Sequence, residues 1–188
     1  MVKFDYTSNK HNWQTPKSIY QPILDFIGRE QFDIDVCCST SNIPADSYYS
    51  LDFYLLSKNG IKYNIVNQFD GLQANWGGIC FLNPPYGRLL EKFVKKAFEE
   101  SQKDCEVWSI LPVRTENNYY HDYIFNNPNC FFVLLQGKQG FINPEKPEEK
   151  IKPTLPCMIV YWGKYALIHY DNWNREQPLK GKAFYCGN

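Results

Sequence analysis

The sequence carries no surplus of either charge: 20 lysines and arginines balance 20 aspartates and glutamates. A protein that holds nucleic acid chiefly by neutralising phosphates needs an excess of basic residues. The balance therefore speaks against a strong non-specific binder while leaving room for a local basic groove. Short runs such as Glu91-Lys92 and Lys95-Lys96 fit the solvated face of a helix. Histidine is scarce, with three residues in the chain. His11, His121 and His169 have no ligand spacing relative to cysteines or to one another, and there is no Cys-x-x-Cys pair, so no metal site is expected. No apolar run reaches the roughly 18 residues that a membrane span requires. The N-terminal stretch lacks the apolar segment of a secretory leader. Internal repeats are absent. A length of 188 residues fits a single domain covering residues 1–188, with residues 1–12 as a polar arm.

Cysteine is more abundant: seven residues, an odd number. Several lie inside apolar runs, such as Cys80 in GICFL and Cys157 in PCMIVYW. They are expected to be buried free thiols of a reducing compartment, the cytoplasm. Hydrophobic residues at 44% and charged residues at 21% describe an ordinary globular chain. Aromatics at 17% imply an aromatic-rich core and leave some rings for stacking on bases.

Thr15-Pro16-Lys17 opens a helix, with Thr15 as the cap and Pro16 in the first turn. Ile19, Ile23, Phe26 and Ile27 then recur at helical spacing up to Gly28. Residues 32–38 (FDIDVCC) form a short strand. Residues 39–64 are polar, with room for one short helix, and Asn64 to Asn67 form another strand. Residues 78–82 (GICFL) form a buried strand that ends at Asn83-Pro84-Pro85-Tyr86-Gly87. Leu90, Phe93, Val94, Ala97 and Phe98 mark an amphipathic helix over 89–101. Strands follow at 106–111, 130–135 and 157–162, a helix at 117–125, a proline-rich loop at 143–156, and a last strand at 166–170. This alternation predicts an α/β fold with a mainly parallel sheet and an antiparallel C-terminal hairpin.

Asn83-Pro84-Pro85-Tyr86 is the strongest chemical signal. Ligands of open α/β sheets bind at the carboxyl ends of strands, where this motif stands. Two prolines remove two backbone donors and hold the chain extended, so carbonyls and the Asn83 side chain point in fixed directions. The Asn83 oxygen and the Pro84 carbonyl can then accept both N–H bonds of an exocyclic amine, and Tyr86 offers a flat face for stacking.

These residues resemble motif IV of the amino-methyltransferases, and the wider pattern resembles the bacteriophage-type (Dam-like) DNA N6-adenine methyltransferases. The likeness runs in order through Trp13-Gln14-Thr15-Pro16, Asp35-Val36-Cys37-Cys38, Asp70-Gly71-Leu72, Trp76, Asn83 to Gly87, Leu111-Pro112-Val113-Arg114-Thr115 and Gly137 to Phe141. It implies a Rossmann-like methyltransferase fold and S-adenosyl-L-methionine as cofactor. It also implies a cofactor site of Trp13, Thr15, Pro16, Asp35, Cys37 and Asp70, with Asp35 near the ammonium group. Asn83, Pro84, Pro85 and Tyr86 become the catalytic motif, and Tyr86, Arg114 and Phe141 the contacts to a flipped adenine of double-stranded DNA. Two departures accompany it. Residues 37–42 read CCSTSN in place of a glycine-rich loop, and the acidic residue for the ribose hydroxyls is unassigned, with Asp52 as one option. Lys138 stands where the family carries arginine. RNA adenine or another planar amine, and an inactive nucleic-acid-binding module of the same fold, are the alternatives; a homodimer is compatible with the pattern. Cytosine-N4 enzymes usually carry serine at the position of Asn83, which favours adenine.

Overall fold

The computed structural model describes residues 13–38, 42–50, 70–143, 146–151 and 155–187. Helix α1 (Lys17–Phe26) buries Ile19, Ile23 and Leu24 on one face, and Gly28 stops it in the left-handed region at φ +66°. Its start corrects the expected cap. Pro16 holds the cap position with no side-chain cap bond, and the Thr15 hydroxyl is buried without a partner. Strands β1 (Phe32–Asp35), β2 (Ala45–Tyr48) and β3 (Ile79–Leu82) follow, then α2 (Leu90–Ser101), β4 (Glu106–Pro112), α3 (Asn118–Tyr123) and β5 (Cys130–Leu135). The chain continues through β6 (Phe141–Asn143), β7 (Lys146–Ile151), β8 (Cys157–Trp162), α4 (Ala166–Glu176) and β9 (Gly181–Tyr185).

The main sheet is mixed, in the order β2-β1-β3-β4-β8-β5-β9. Its first three neighbour pairs are parallel and its last three antiparallel. Parallel pairing thus holds for the half that carries β1, β3 and β4, not for the sheet as a whole. The expected C-terminal hairpin is also corrected, because β8 inserts between β4 and β5 instead of pairing with the segment after it. That segment is helix α4: Ala166, Tyr170 and Trp173 recur at helical spacing and face the core, a period invisible in a five-residue stretch. The proline-rich stretch 143–156 contributes β7, which pairs with β6 as a separate two-stranded ribbon. Both strands of such a ribbon are edges, where proline is tolerated. Strands β2 and β9 fell in segments that carried no strand signal. Asp52 and the expected strand at 64–67 lie outside the described residues.

Hydrophobic clusters fill both faces of the sheet, one beneath α2 and α3 and the other beneath α1 and α4. Every residue of β8 and all but the first of β4 are buried, which is why those strands are continuous apolar runs and not alternating ones. All seven cysteines are free, and all but Cys37 are buried. Among the described residues no helix is long and apolar enough to cross a membrane.

Candidate active site

β1 and β3 are parallel neighbours, with Asp35 paired to Phe81. Their carboxyl ends therefore deliver Asp35 and Asn83 to the same edge of the sheet. Asp35 is 4% exposed, and among the described residues its side chain accepts one hydrogen bond, from the Cys37 backbone N–H to Oδ1 at 3.3 Å. No ion pair among the described residues engages it. Burial lifts its pKa to about 7, and the bond from Cys37 offsets only part of that rise. The Cys37 thiol is pushed well up, first by burial and then by the carboxylates of Asp35 and Asp70 beside it.

Asp70 reaches this edge through Gly71. A Cβ on Gly71 would stand 2.0 Å from the Val36 carbonyl oxygen, so only glycine lets the turn lie against the end of β1. Asp70 Oδ1 accepts from the Leu72 N–H at 3.0 Å, and Trp76 Nε1 donates to the Gly71 carbonyl at 2.7 Å. Trp76 is held in turn by the buried Glu100, which accepts from the Trp76 N–H at 3.3 Å and pairs with Lys96 and Lys103. Burial opposes the Glu100 charge, but the two lysines outweigh it and keep its pKa below the ordinary value.

Asn83 follows β3 directly. Its Nδ2 donates to the Trp13 carbonyl at 3.2 Å. Pro84 is buried and Pro85 half-buried. The Tyr86 ring is half-buried, with its hydroxyl turned inward beside Cys157 but in no hydrogen bond of good geometry. Burial drives that phenol well above its usual range and the Cys157 thiol to about 11. Under it, the Tyr120 hydroxyl donates to the Pro112 carbonyl at 2.5 Å and accepts from the Arg114 N–H at 2.9 Å. This fixes the carboxyl end of β4 beside the motif. The Tyr119 hydroxyl, like that of Tyr86, is buried without a partner.

The N-terminal segment closes the site. Gln14 and Ile142 exchange two backbone hydrogen bonds of 3.0 Å, and Asn42 Nδ2 donates to the Thr15 carbonyl at 2.7 Å. Trp13, Thr15 and Pro16 are thus brought to the edge that holds Asp35, Cys37, Asp70 and Asn83 to Tyr86. Arg114 stands exposed at the rim. Phe141 is corrected: it is 1% exposed and packed in the cluster under α1, so its ring has no face to offer a base. Sequence reasoning missed Asn42, Cys157 and the close approach of Gly71. A lone asparagine in a polar stretch and a cysteine in an apolar run carry no local signal of such roles.

A family model described as DNA N-6-adenine-methyltransferase (Dam) matches residues 5–176. No curated protein matches the chain.

Proposed function

The chain belongs to the DNA N-6-adenine-methyltransferase (Dam) family, and from that premise we propose that it transfers the methyl group of S-adenosyl-L-methionine to N6 of adenine in DNA. The observation that carries this reading is the juxtaposition at one sheet edge of two unlike groups. Asn83-Pro84 presents fixed acceptors, and Asp35 is a buried carboxylate without a cation.

The residues fit the cofactor. A carboxylate taken out of water without a counter-charge suits an ammonium group, and the buried Thr15 hydroxyl without a partner has hydrogen-bonding capacity to spare. Asp35, Thr15, Pro16, Cys37 and Asp70 would hold it. When bound, S-adenosyl-L-methionine supplies an electrophilic methyl group on a positively charged sulfur.

Adenine N6 is a weak nucleophile because its lone pair is delocalised into the ring. Asn83 Oδ1 and the Pro84 carbonyl accept its two N–H bonds, draw the nitrogen toward tetrahedral geometry and stabilise the positive charge that develops on it. Holding N6 in line for displacement contributes as much as the charge term. The alkylated nitrogen gives up its proton readily, so a strong base is not required. Extracting the base from a duplex costs roughly a few kcal/mol, and stacking on Tyr86 recovers about 1–3 kcal/mol. Although the chain is neutral, exposed Arg88, Arg114 and Lys138 follow the ends of β3, β4 and β5. They suit phosphates around that edge.

The test is incubation with S-adenosyl-L-methionine and unmethylated DNA, digestion to nucleosides and mass-spectrometric measurement of N6-methyladenine. Wild type should form it, and Asn83→Ala should lose roughly a hundredfold or more in rate while still binding cofactor. Cofactor binding without N6-methyladenine would overturn the DNA substrate; no cofactor binding would overturn the reaction.

A further inference from the structure

Position 83 carries an amide, and its two ends have different tasks. A carboxamide offers two donor hydrogens on nitrogen and an acceptor oxygen, whereas a backbone carbonyl can only accept. The atom 3.2 Å from the Trp13 oxygen is therefore Nδ2. With nitrogen turned to Trp13, the planar amide turns Oδ1 the other way. The Trp13 carbonyl is itself held. Gln14, the next residue, makes both of its backbone bonds to Ile142, at 3.0 Å each, and Asn42 anchors the Thr15 carbonyl. Ile142 faces Lys150 of β7 across the ribbon. Because its own N–H and C=O both go to Gln14, it joins the ribbon to the N-terminal segment.

We propose that the Trp13 main-chain carbonyl is a positioning group for methyl transfer, committing Asn83 Oδ1 to the target amine, and that the Gln14–Ile142 bridge keeps that carbonyl in place. The inference rests on the adenine-N6 reading above and deepens it. It predicts that position 83 of this chain uses a donor as well as an acceptor. An ionised aspartate there keeps acceptor oxygens but sets a carboxylate against a carbonyl oxygen, and the two repel. Protonated, the same aspartic acid can donate its O–H to Trp13 and accept from N6 with the other oxygen.

The experiment follows kcat of Asn83→Asp between pH 8 and 5.5 at saturating S-adenosyl-L-methionine, as a ratio to wild type at each pH. The ratio should be about a hundredth or less at pH 8 and rise by about tenfold per pH unit on acidification until the carboxyl is protonated. If Asn83 serves only as an acceptor, the carboxylate suffices: the ratio is highest at pH 8 and falls toward acid, and that result or a flat ratio overturns the proposal. A second variant, Ile142→Pro, deletes the N–H given to Gln14. Its kcat, read at saturating S-adenosyl-L-methionine so that any displacement of Thr15 from the cofactor does not enter, should fall about tenfold, a tenfold loss being about 1.4 kcal/mol. An unchanged kcat in folded Ile142→Pro removes the bridge from the proposal. If wild type itself forms no N6-methyladenine, the reading beneath the inference has failed, which differs from an active wild type with the wrong pH slope.

Discussion

Lowering the pH should weaken cofactor binding through Asp35. Its carboxyl is buried without a counter-charge, and burial raises its pKa to about 7 in the free protein. At pH 8 about nine-tenths of the molecules carry the carboxylate; at pH 6 only about one-tenth do. A neutral carboxyl cannot pair with the ammonium of S-adenosyl-L-methionine, whose α-amino group itself loses its proton near pH 8, so the apparent Kd should rise by about fourfold from pH 8 to pH 6 and rise again above pH 8. The same shift has a stability consequence of defined sign. The folded form holds the proton more tightly than the unfolded form, whose carboxyl titrates near 3.9. Asp35 therefore costs nothing below about pH 4. Its cost grows as pH rises through the window between about 4 and 7, up to an upper bound of about 4 kcal/mol. Asp35→Asn should accordingly be more stable than wild type at pH 8 and equal to it at pH 4, while binding cofactor weakly and with no rise in Kd on going from pH 8 to pH 6. Equilibrium dialysis gives the Kd values, and thermal melts at the two pH values give the stability difference. Methylthioadenosine, which lacks the amino-acid portion, is the control and should bind with a flat profile. Equal Kd values for S-adenosyl-L-methionine at pH 6 and 8 in wild type, or the same slope in Asp35→Asn, would refute the assignment of Asp35 to the ammonium.

Tyr86→Phe should keep methyl transfer within a few-fold of wild type, because stacking uses the ring. Removing a buried hydroxyl that lacks a partner should leave stability unchanged or raise it by about 1 kcal/mol, whereas Tyr86→Ala should lose most of the rate; thermal melts and nucleoside analysis of both variants check this. Glu100→Ala strips the partner from Lys96, Lys103 and the Trp76 N–H. The lysines can turn to water, and the Trp76 N–H left without its acceptor should destabilise the fold by about 1–3 kcal/mol; denaturant titration measures it, and an unchanged stability would contradict it. Gly71→Ala drives a methyl group into the Val36 carbonyl. It should cost about 1–3 kcal/mol and weaken cofactor binding by displacing Asp70, both readable from one ligand-dependent melting series.

The division of the sheet into a parallel and an antiparallel half has a functional meaning. Parallel strands bring their carboxyl ends to one edge, so β1, β3 and β4 can deliver Asp35, Asn83 and Arg114 together. The antiparallel insertion of β8 brings its opposite end, Cys157, to that same edge under Tyr86. It also lets the Val113 N–H bond to the Pro156 carbonyl at 2.8 Å. The motif thus sits on a floor supplied by a strand about seventy residues further along the chain.

The sequence by itself determined what is local in the chemistry and periodic in the fold. The run of residues Ile79 to Leu82 stopping at two prolines needed no partner to identify a strand end with fixed acceptors. The spacing of Leu90, Phe93, Val94 and Ala97 marked α2 because one helical face has one period. Tertiary structure decided what depends on contacts between distant segments. Residues 166–170 became helix because Ala166 and Trp173 share a face over two turns, which a five-residue window cannot register. Phe141 became core and not a stacking platform because burial belongs to the neighbours that cover a ring, not to the ring. The roles of Trp13 and Asn42 rest on a carbonyl and an amide that any residue pattern would carry, and only folding brings them to Asn83 and Thr15. Hydrogen bonds to the main chain leave no mark in sequence, since every residue supplies the same backbone groups.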